Sequence, residues 1–290
     1  MGRPESIVDQ TSVARGAAVM GIVNVTPDSF YDGGRYSELR AVEARIDTLL
    51  GEGADIIDVG GESTRPRSVP VPAAEQIARI EHALRYAVAS GKALVSVDTT
   101  EPAVAEHALG LGAQIVNDVS CLLNPELARV TAAFGASLII MHARGPMSGM
   151  PDFSSYPEQG YTDVVRDVRD AWRAARARAV AAGMPEDRIW FDPGLGFNKS
   201  ARHSLTLIAR LSEFHSERVP IVVGPSRKSF IASVDAAPAE ERLGGTVAAC
   251  LSCVARGATV LRVHDVLAVR QALAVSRAVS SISPGDSTHA

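Results

Sequence analysis

Short runs rich in Val and Ile alternate along the chain with longer stretches of mixed apolar and polar residues. The apolar runs lie at 17–24, 55–60, 93–98, 114–119, 137–142, 188–193, 220–225 and 259–264. Their length and β-branched content predict strands. Ala-rich segments at 39–52, 73–90, 101–110, 125–134, 161–182, 200–213, 239–256 and 265–280 carry apolar residues at helical spacing. Each predicted strand is thus followed by a predicted helix.

A strand that is apolar at nearly every position is buried on both faces, which implies a parallel sheet covered by helices. Eight such repeats match a single (β/α)8 TIM barrel, although an open doubly wound sheet gives the same alternation. The polar residues separate the two. Nearly every run ends in ionisable or hydrogen-bonding groups: Asn24, Asp58, Asp98, Asn117 with Asp118, His142, Asp192, Ser226 to Lys228, and Arg262 with His264. Buried strands cannot place such groups mid-run without partners, whereas a barrel gathers its active face from the C-terminal ends of all its strands. The turn after the first strand, TPDSFYDGG, is not the GxGxxG of a dinucleotide-binding sheet. The expected organisation is a loose lead-in at 1–15, one barrel domain at 16–282 and a frayed tail at 283–290.

A net charge of −4 and a pI near 6.0 give no footprint for nucleic acid or an acidic membrane surface, so an anionic ligand must be held by local charge. The odd set Cys121, Cys250 and Cys253 is no disulfide framework and fits a reducing compartment. Cys250 and Cys253 have CxxC spacing but fall in an Ala-rich helical stretch, where core packing is the plainer role. With no apolar stretch of membrane-spanning length and no signal-peptide core in MGRPESIVDQ, a cytoplasmic enzyme is expected.

Two connections, 25–37 and 60–72, exceed what a βα link needs, and a third lies at 143–160. Long loops on the active face are expected to act as lids. Asp98 and Asp192 are carboxylates at the barrel mouth, suited to accept hydrogen bonds from the ring N–H and amino groups of a nitrogen heterocycle. Helix capping is the alternative for Asp98. Asn117 adds a donor and an acceptor, or forms a turn. In GPSRKSFI, Arg227 and Lys228 precede a helix with Ser229 in its first turn, an arrangement for a carboxylate or phosphate. Arg262 and His264, two apart on the last strand, share a face and match the phosphate corner common to barrels. The first two loops offer Asn24, Thr26, Asp28 and Phe30, then Thr64 and Arg65. Asn24 is a hard oxygen ligand for Mg²⁺ beside a polyphosphate. His142 lacks Cys or His partners at ligand spacing, so a zinc site is not indicated.

GIVNVTPDSFYDGG, DVGGESTRP, SVDTT, VNDVS, MHARG, DPGLGFNK, GPSRKSFI and RVHDV, in this order between residues 21 and 266, resemble the successive motifs of dihydropteroate synthases. The resemblance implies a transferase of folate biosynthesis in which p-aminobenzoate displaces pyrophosphate from 6-hydroxymethyl-7,8-dihydropterin pyrophosphate. It implies that Asp98, Asn117, Asp192, Lys228 and Arg262 surround the pterin, and that Asn24, Thr64, Arg65, Arg262 and His264 hold the pyrophosphate. Asn24 would bind Mg²⁺. Phe30, Arg65, Pro66, Phe197, Lys228 and Ser229 would hold p-aminobenzoate. Catalysis would fall to Asp98, Asp192, Lys228, Arg262 and His264, with Mg²⁺, Arg262 and His264 neutralising the departing pyrophosphate and the carboxylates favouring a pterin cation. The same resemblance implies a homodimer and an enzyme of the kind that sulfonamides target. Arg67 stands where the family pattern has glycine after STRP, Cys121 where glycine follows NDVS, and Ser204 where asparagine is common. Two other readings share the pterin residues: a methyltetrahydrofolate:corrinoid methyltransferase type of barrel, and a catalytically silent pterin-binding paralogue.

Overall fold

The computed structural model describes residues 16–26, 35–62, 70–144 and 156–282. The lead-in at 1–15, the tail at 283–290 and the central parts of all three long connections lie outside them, and with them Asp28, Phe30, Thr64, Arg65, Pro66 and Arg67.

Eight parallel strands alternate with helices. The strands are β1 (Ala18–Asn24), β2 (Ile56–Gly60), β3 (Leu94–Asp98), β4 (Ile115–Asp118), β5 (Ser137–Met141), β6 (Ile189–Asp192), β7 (Val222–Val223) and β8 (Val260–Val263). The helices between and after them are α1 (Arg35–Gly51), α2 (Ala73–Ser90), α3 (Pro102–Gly110), α4 (Glu126–Ala133), α5 (Val164–Ala181), α6 (Ala201–Ala209), α7 (Ser229–Ala232), α8 (Leu243–Val254) and α9 (Val266–Ser281). Strands pair in the order β6-β5-β4-β3-β2-β1-β8-β7, and a parallel bridge between Phe191 and Ile221 joins the two ends. The ring is closed, which rules out the open doubly wound sheet and gives the (β/α)8 barrel.

Residues two apart on a strand face the same way, so each strand divides into an inner and an outer set. The inner set at the N-terminal end of the ring is apolar: Ala18, Met20, Ile56, Ile115, Ile139, Trp190, Val222 and Val260 form one buried cluster. The outer set, including Val19, Val23, Ile57, Val59, Val97, Leu138, Phe191 and Leu261, packs on the helices in a second, larger cluster. Burying a Val or Ile side chain is worth about 1.5–3 kcal/mol, so these layers fix the parity of every strand. A slip of one residue would turn the polar strand ends out of the barrel.

Two segments differ from the sequence pattern. β7 has two residues where six were expected, because Pro220 and Pro225 flank it and each lacks a ladder donor. The helix expected at Ser229 is only the one-turn α7, while α8 falls within the expected stretch at 239–256. Cys250 and Cys253 lie buried on α8 without a bridge, as core residues.

Candidate active site

Register aligns the polar ends of β1 to β4, and Asp192 on β6 lies opposite Met141, two residues beyond Asn117's partner Ile139. Asn24 pairs with Gly60, Gly60 with Asp98 and Asp98 with Asn117, while Met141 pairs with Asp192. These positions form the C-terminal rim of the ring, above the apolar inner layer. Arg262 on β8 reaches across it. Its Nε donates to Asp58 Oδ2 at 2.6 Å and its Nη2 donates to Asp98 Oδ2 at 2.7 Å. Asn117 Nδ2 donates to the same Asp58 oxygen at 3.2 Å. Asp192 is fixed separately, its Oδ1 accepting from the Gly194 N–H at 2.7 Å. Asn117, Met141, Asp192, Phe197, Gly224 and Arg262 line one small internal cavity of about 20 Å³. That is room for a water molecule, not a bicyclic ring.

Asp58 was passed over in the sequence beyond its place at a strand end. It is fully buried, and its Oδ1 has no hydrogen-bond partner among the described residues. The available signal was parity: Ile56, Asp58 and Gly60 share a face, and Ile56 is inner core. Asp98 does not cap the next helix, whose N-cap is Glu101.

The electrostatics follow from burial. Desolvation raises the Asp98 carboxyl above its ordinary range, Arg262 opposes this, and Asp58 adds to it. Burial likewise pushes Asp192 up to about 6, against the Gly194 N–H and the Lys228 and Arg262 charges. Lys228 is pulled down to about 7 by burial and by Arg262, with Asp192 and Asp98 holding it up. For Arg262, burial works against the charge, but Asp58 and Asp98 outweigh it and the guanidinium is held above its usual value. The Lys228 Nζ lies 3.9 Å from the centre of the Phe197 ring, a cation–π contact. Lys228 N-caps α7 and Ser229 is that helix's first residue.

Three expectations need correction. Arg227 does not join Lys228 in an anion site: its Nε and Nη2 donate to the two oxygens of Asp265 at 3.0 and 2.6 Å, so its charge is already paired. The helix after Lys228 is a single turn, too short for a substantial dipole. His264 is not a cation at neutral pH, because burial and then Arg262 and Arg227 bring it down to about 4. Ser226 Oγ accepts from the His264 backbone N–H at 3.2 Å and lies 3.0 Å from its Nδ1. In the tautomer where the Ser226 hydroxyl donates to Nδ1, the neutral ring carries its own proton on Nε2 and can act as a donor there.

Among the described residues, no group of three or more His, Cys, Asp or Glu side chains is disposed to hold a metal ion. Asn24, half-buried at the end of β1, is a single neutral oxygen donor. It suits a Mg²⁺ whose remaining ligands are substrate phosphates and water rather than an all-protein cage. No helix of the described residues is long and apolar enough to cross a membrane.

The sequence matches the pterin binding enzyme family over residues 20–264. The chain belongs to the pterin binding enzyme family. Among relatives of this pterin binding enzyme, the dihydropteroate synthase of Streptococcus pyogenes is 39% identical over 262 residues, 89% of this chain and 94% of the relative. A Xanthomonas albilineans dihydropteroate synthase solved with 4-aminobenzoic acid superimposes with a TM-score of 0.85 at 38% identity, covering 92% of this chain and 94% of that one. The same organism's enzyme in complex with 7,8-dihydropteroate gives 0.81 at 36% identity, covering 92% and 95%.

Proposed function

We propose that this chain is a dihydropteroate synthase, joining 6-hydroxymethyl-7,8-dihydropterin pyrophosphate to p-aminobenzoate with release of pyrophosphate. One observation carries the reading: Asn117, Asp192 and Arg262 line one cavity at the barrel rim, with Asp98 held beside it by Arg262, in a chain whose relatives are dihydropteroate synthases. The corrinoid methyltransferase reading is not favoured by those relatives.

The acceptors Asp98 and Asp192 and the amide of Asn117 would read the ring N–H and amino edge of the pterin, with Lys228 donating to its ring. Arg262 now spans Asp58 and Asp98 and leaves too little room for a bicycle. Ring binding therefore exchanges Arg262's bond to Asp98 for one from the ring, and moves the guanidinium onto the ring face. Asp58, still buried, keeps Arg262 from leaving altogether.

In the reaction the amine nitrogen forms a bond to the exocyclic methylene carbon, the C–O bond to pyrophosphate breaks, and the nitrogen gives up a proton. Positive charge grows on the ring and negative charge on the leaving oxygens. Buried carboxylates stabilise the first, and Arg262 with the Nε2–H of His264 stabilises the second. A bound Mg²⁺ would supply further charge neutralisation at the phosphates, with Asn24 as its protein ligand. Thr64, Arg65, Phe30 and Pro66, outside the described residues, are assigned to the pyrophosphate and p-aminobenzoate. Phe197, Lys228 and Ser229 complete the amine site. Competition of sulfonamides with p-aminobenzoate, a cytoplasmic location and a homodimer belong to the same proposal. Incubation of the purified protein with both substrates and Mg²⁺ is expected to give dihydropteroate and pyrophosphate one to one. Pterin binding with neither product formed would identify a silent paralogue instead.

A further inference from the structure

Lys199 is a buried cation that the chemistry above leaves unused. It lies in the loop between β6 and α6 and is among the largest fully buried side chains of the protein. An ammonium at that depth costs several kcal/mol unless its donors are met. Among the described residues its Nζ makes three hydrogen-bonding contacts, none to a carboxylate: it donates to Phe197 O at 2.9 Å and His142 O at 3.2 Å, and lies 2.9 Å from His142 Nδ1. Every contact is satisfied in either protonation state. The ammonium donates to all three, while the neutral amine donates to the two carbonyls and accepts from an Nδ1–H. Burial brings Lys199 down to about 7, with Asp192 opposing, and keeps His142 neutral. The grip on the carbonyls thus survives titration.

Those carbonyls belong to different βα connections, His142 at the exit of β5 and Phe197 in the loop after β6. The same seam is closed by Asn198, whose Oδ1 accepts from the Arg144 N–H at 3.1 Å and whose carbonyl accepts from the Tyr161 hydroxyl at 3.1 Å. The residue all this holds is Phe197. Its ring packs with Val119, Met141 and Ala143, lines the rim cavity and carries Lys228.

We propose that Lys199 is a positioning residue, whose buried N–H groups staple the loop after β6 to the exit of β5 so that Phe197 presents its ring to Lys228 and the pocket. An apolar side chain such as Met would occupy the same space without donors. It would leave both carbonyls unpartnered and the loop free to drift. The inference rests on the proposed synthase activity.

The test is a double-mutant cycle of Lys199→Met and Phe197→Ala, with kcat and the KM of each substrate measured separately and folding checked by thermal denaturation. Each single variant should lower kcat/KM at least about fivefold, the scale of a lost cation–π wall, with the same division between kcat and KM. The double variant should fall no further than the worse single one. Independent effects would multiply to about 25-fold or more and would overturn the staple, as would a Lys199→Met protein that melts lower yet keeps wild-type kinetics. If Lys199→Met does not fold, the cycle is run with Lys199→Gln, whose N–H groups fall one bond short of the carbonyls: a loss of kcat/KM that disappears in the Phe197→Ala background supports the staple, and a loss that persists there, or no loss at all, overturns it. A wild-type protein that makes no product would instead sink the functional reading, and with it this role.

Discussion

Replacing Arg262 with Met removes the cation shared by two buried carboxylates while keeping an unbranched aliphatic stem. Arg262 makes bonds of 2.6 and 2.7 Å to Asp58 and Asp98, which are 0% and 7% exposed. Breaking a buried ion pair by removing one partner costs about 3–5 kcal/mol. For a barrel of this size that lowers the melting temperature by about 10 °C. The loss should depend on pH, and the sign is fixed. Burial already raises the Asp98 carboxyl, and without Arg262, which opposes that rise, it is harder still to ionise. A group raised in this way gives stability that is complete below its unfolded pKa and lost as pH rises through its folded pKa. Thermal denaturation at pH 5 and pH 8 should therefore show a larger deficit for Arg262→Met at pH 8. A deficit equal at both pH values, or below about 3 °C at pH 8, would refute the claim that Arg262 balances these charges.

Since burial lifts Asp192 to about 6, kcat/KM for the pterin substrate should fall below that pH as the carboxylate protonates. A flat profile from pH 5 to 8 would remove Asp192 from ring binding. Lys228→Met and Asp98→Asn should each cut kcat/KM by about tenfold or more, the scale of one charged hydrogen bond, in steady-state assays of dihydropteroate formation. Gly194→Ala should be among the most damaging single substitutions: at φ +67° its Cβ would lie 2.1 Å from the His142 carbonyl oxygen. Melting within about 2 °C of wild type would show that the loop yields more easily than its packing indicates.

The parts of the fold set by periodicity were legible. Predicted strand bounds at 55–60, 93–98 and 188–193 lie within a residue of Ile56–Gly60, Leu94–Asp98 and Ile189–Asp192, because a run buried on both faces has little freedom of register. Prolines shortened β7, and the helix expected at Ser229 proved to be a single turn, Ser229–Ala232. The rim residues were recognised from their strand-end positions. Their pairing was not, since it depends on which strands become neighbours: Arg262 meets Asp58 and Asp98 only because β8 closes onto β1. Neutralisation of Arg227 by Asp265, and of His264 by burial and then by its cationic neighbours, is equally a product of the closed ring. Lys199 gave no signal, for a lysine before a helix reads as solvent-facing until the carbonyls around it are placed.

The account turns on the rim cavity as the pterin site, and a crystal structure of the protein with an unreactive pterin bound tests that most directly. The amino edge of the ring should lie within hydrogen-bonding distance of Asp98, Asn117 and Asp192, with the Arg262 guanidinium moved off Asp98 and onto the ring face. A ring bound elsewhere, such as the roughly 340 Å³ outer cleft lined by Tyr161, Arg202 and Arg210, with Arg262 still on Asp98, would contradict it.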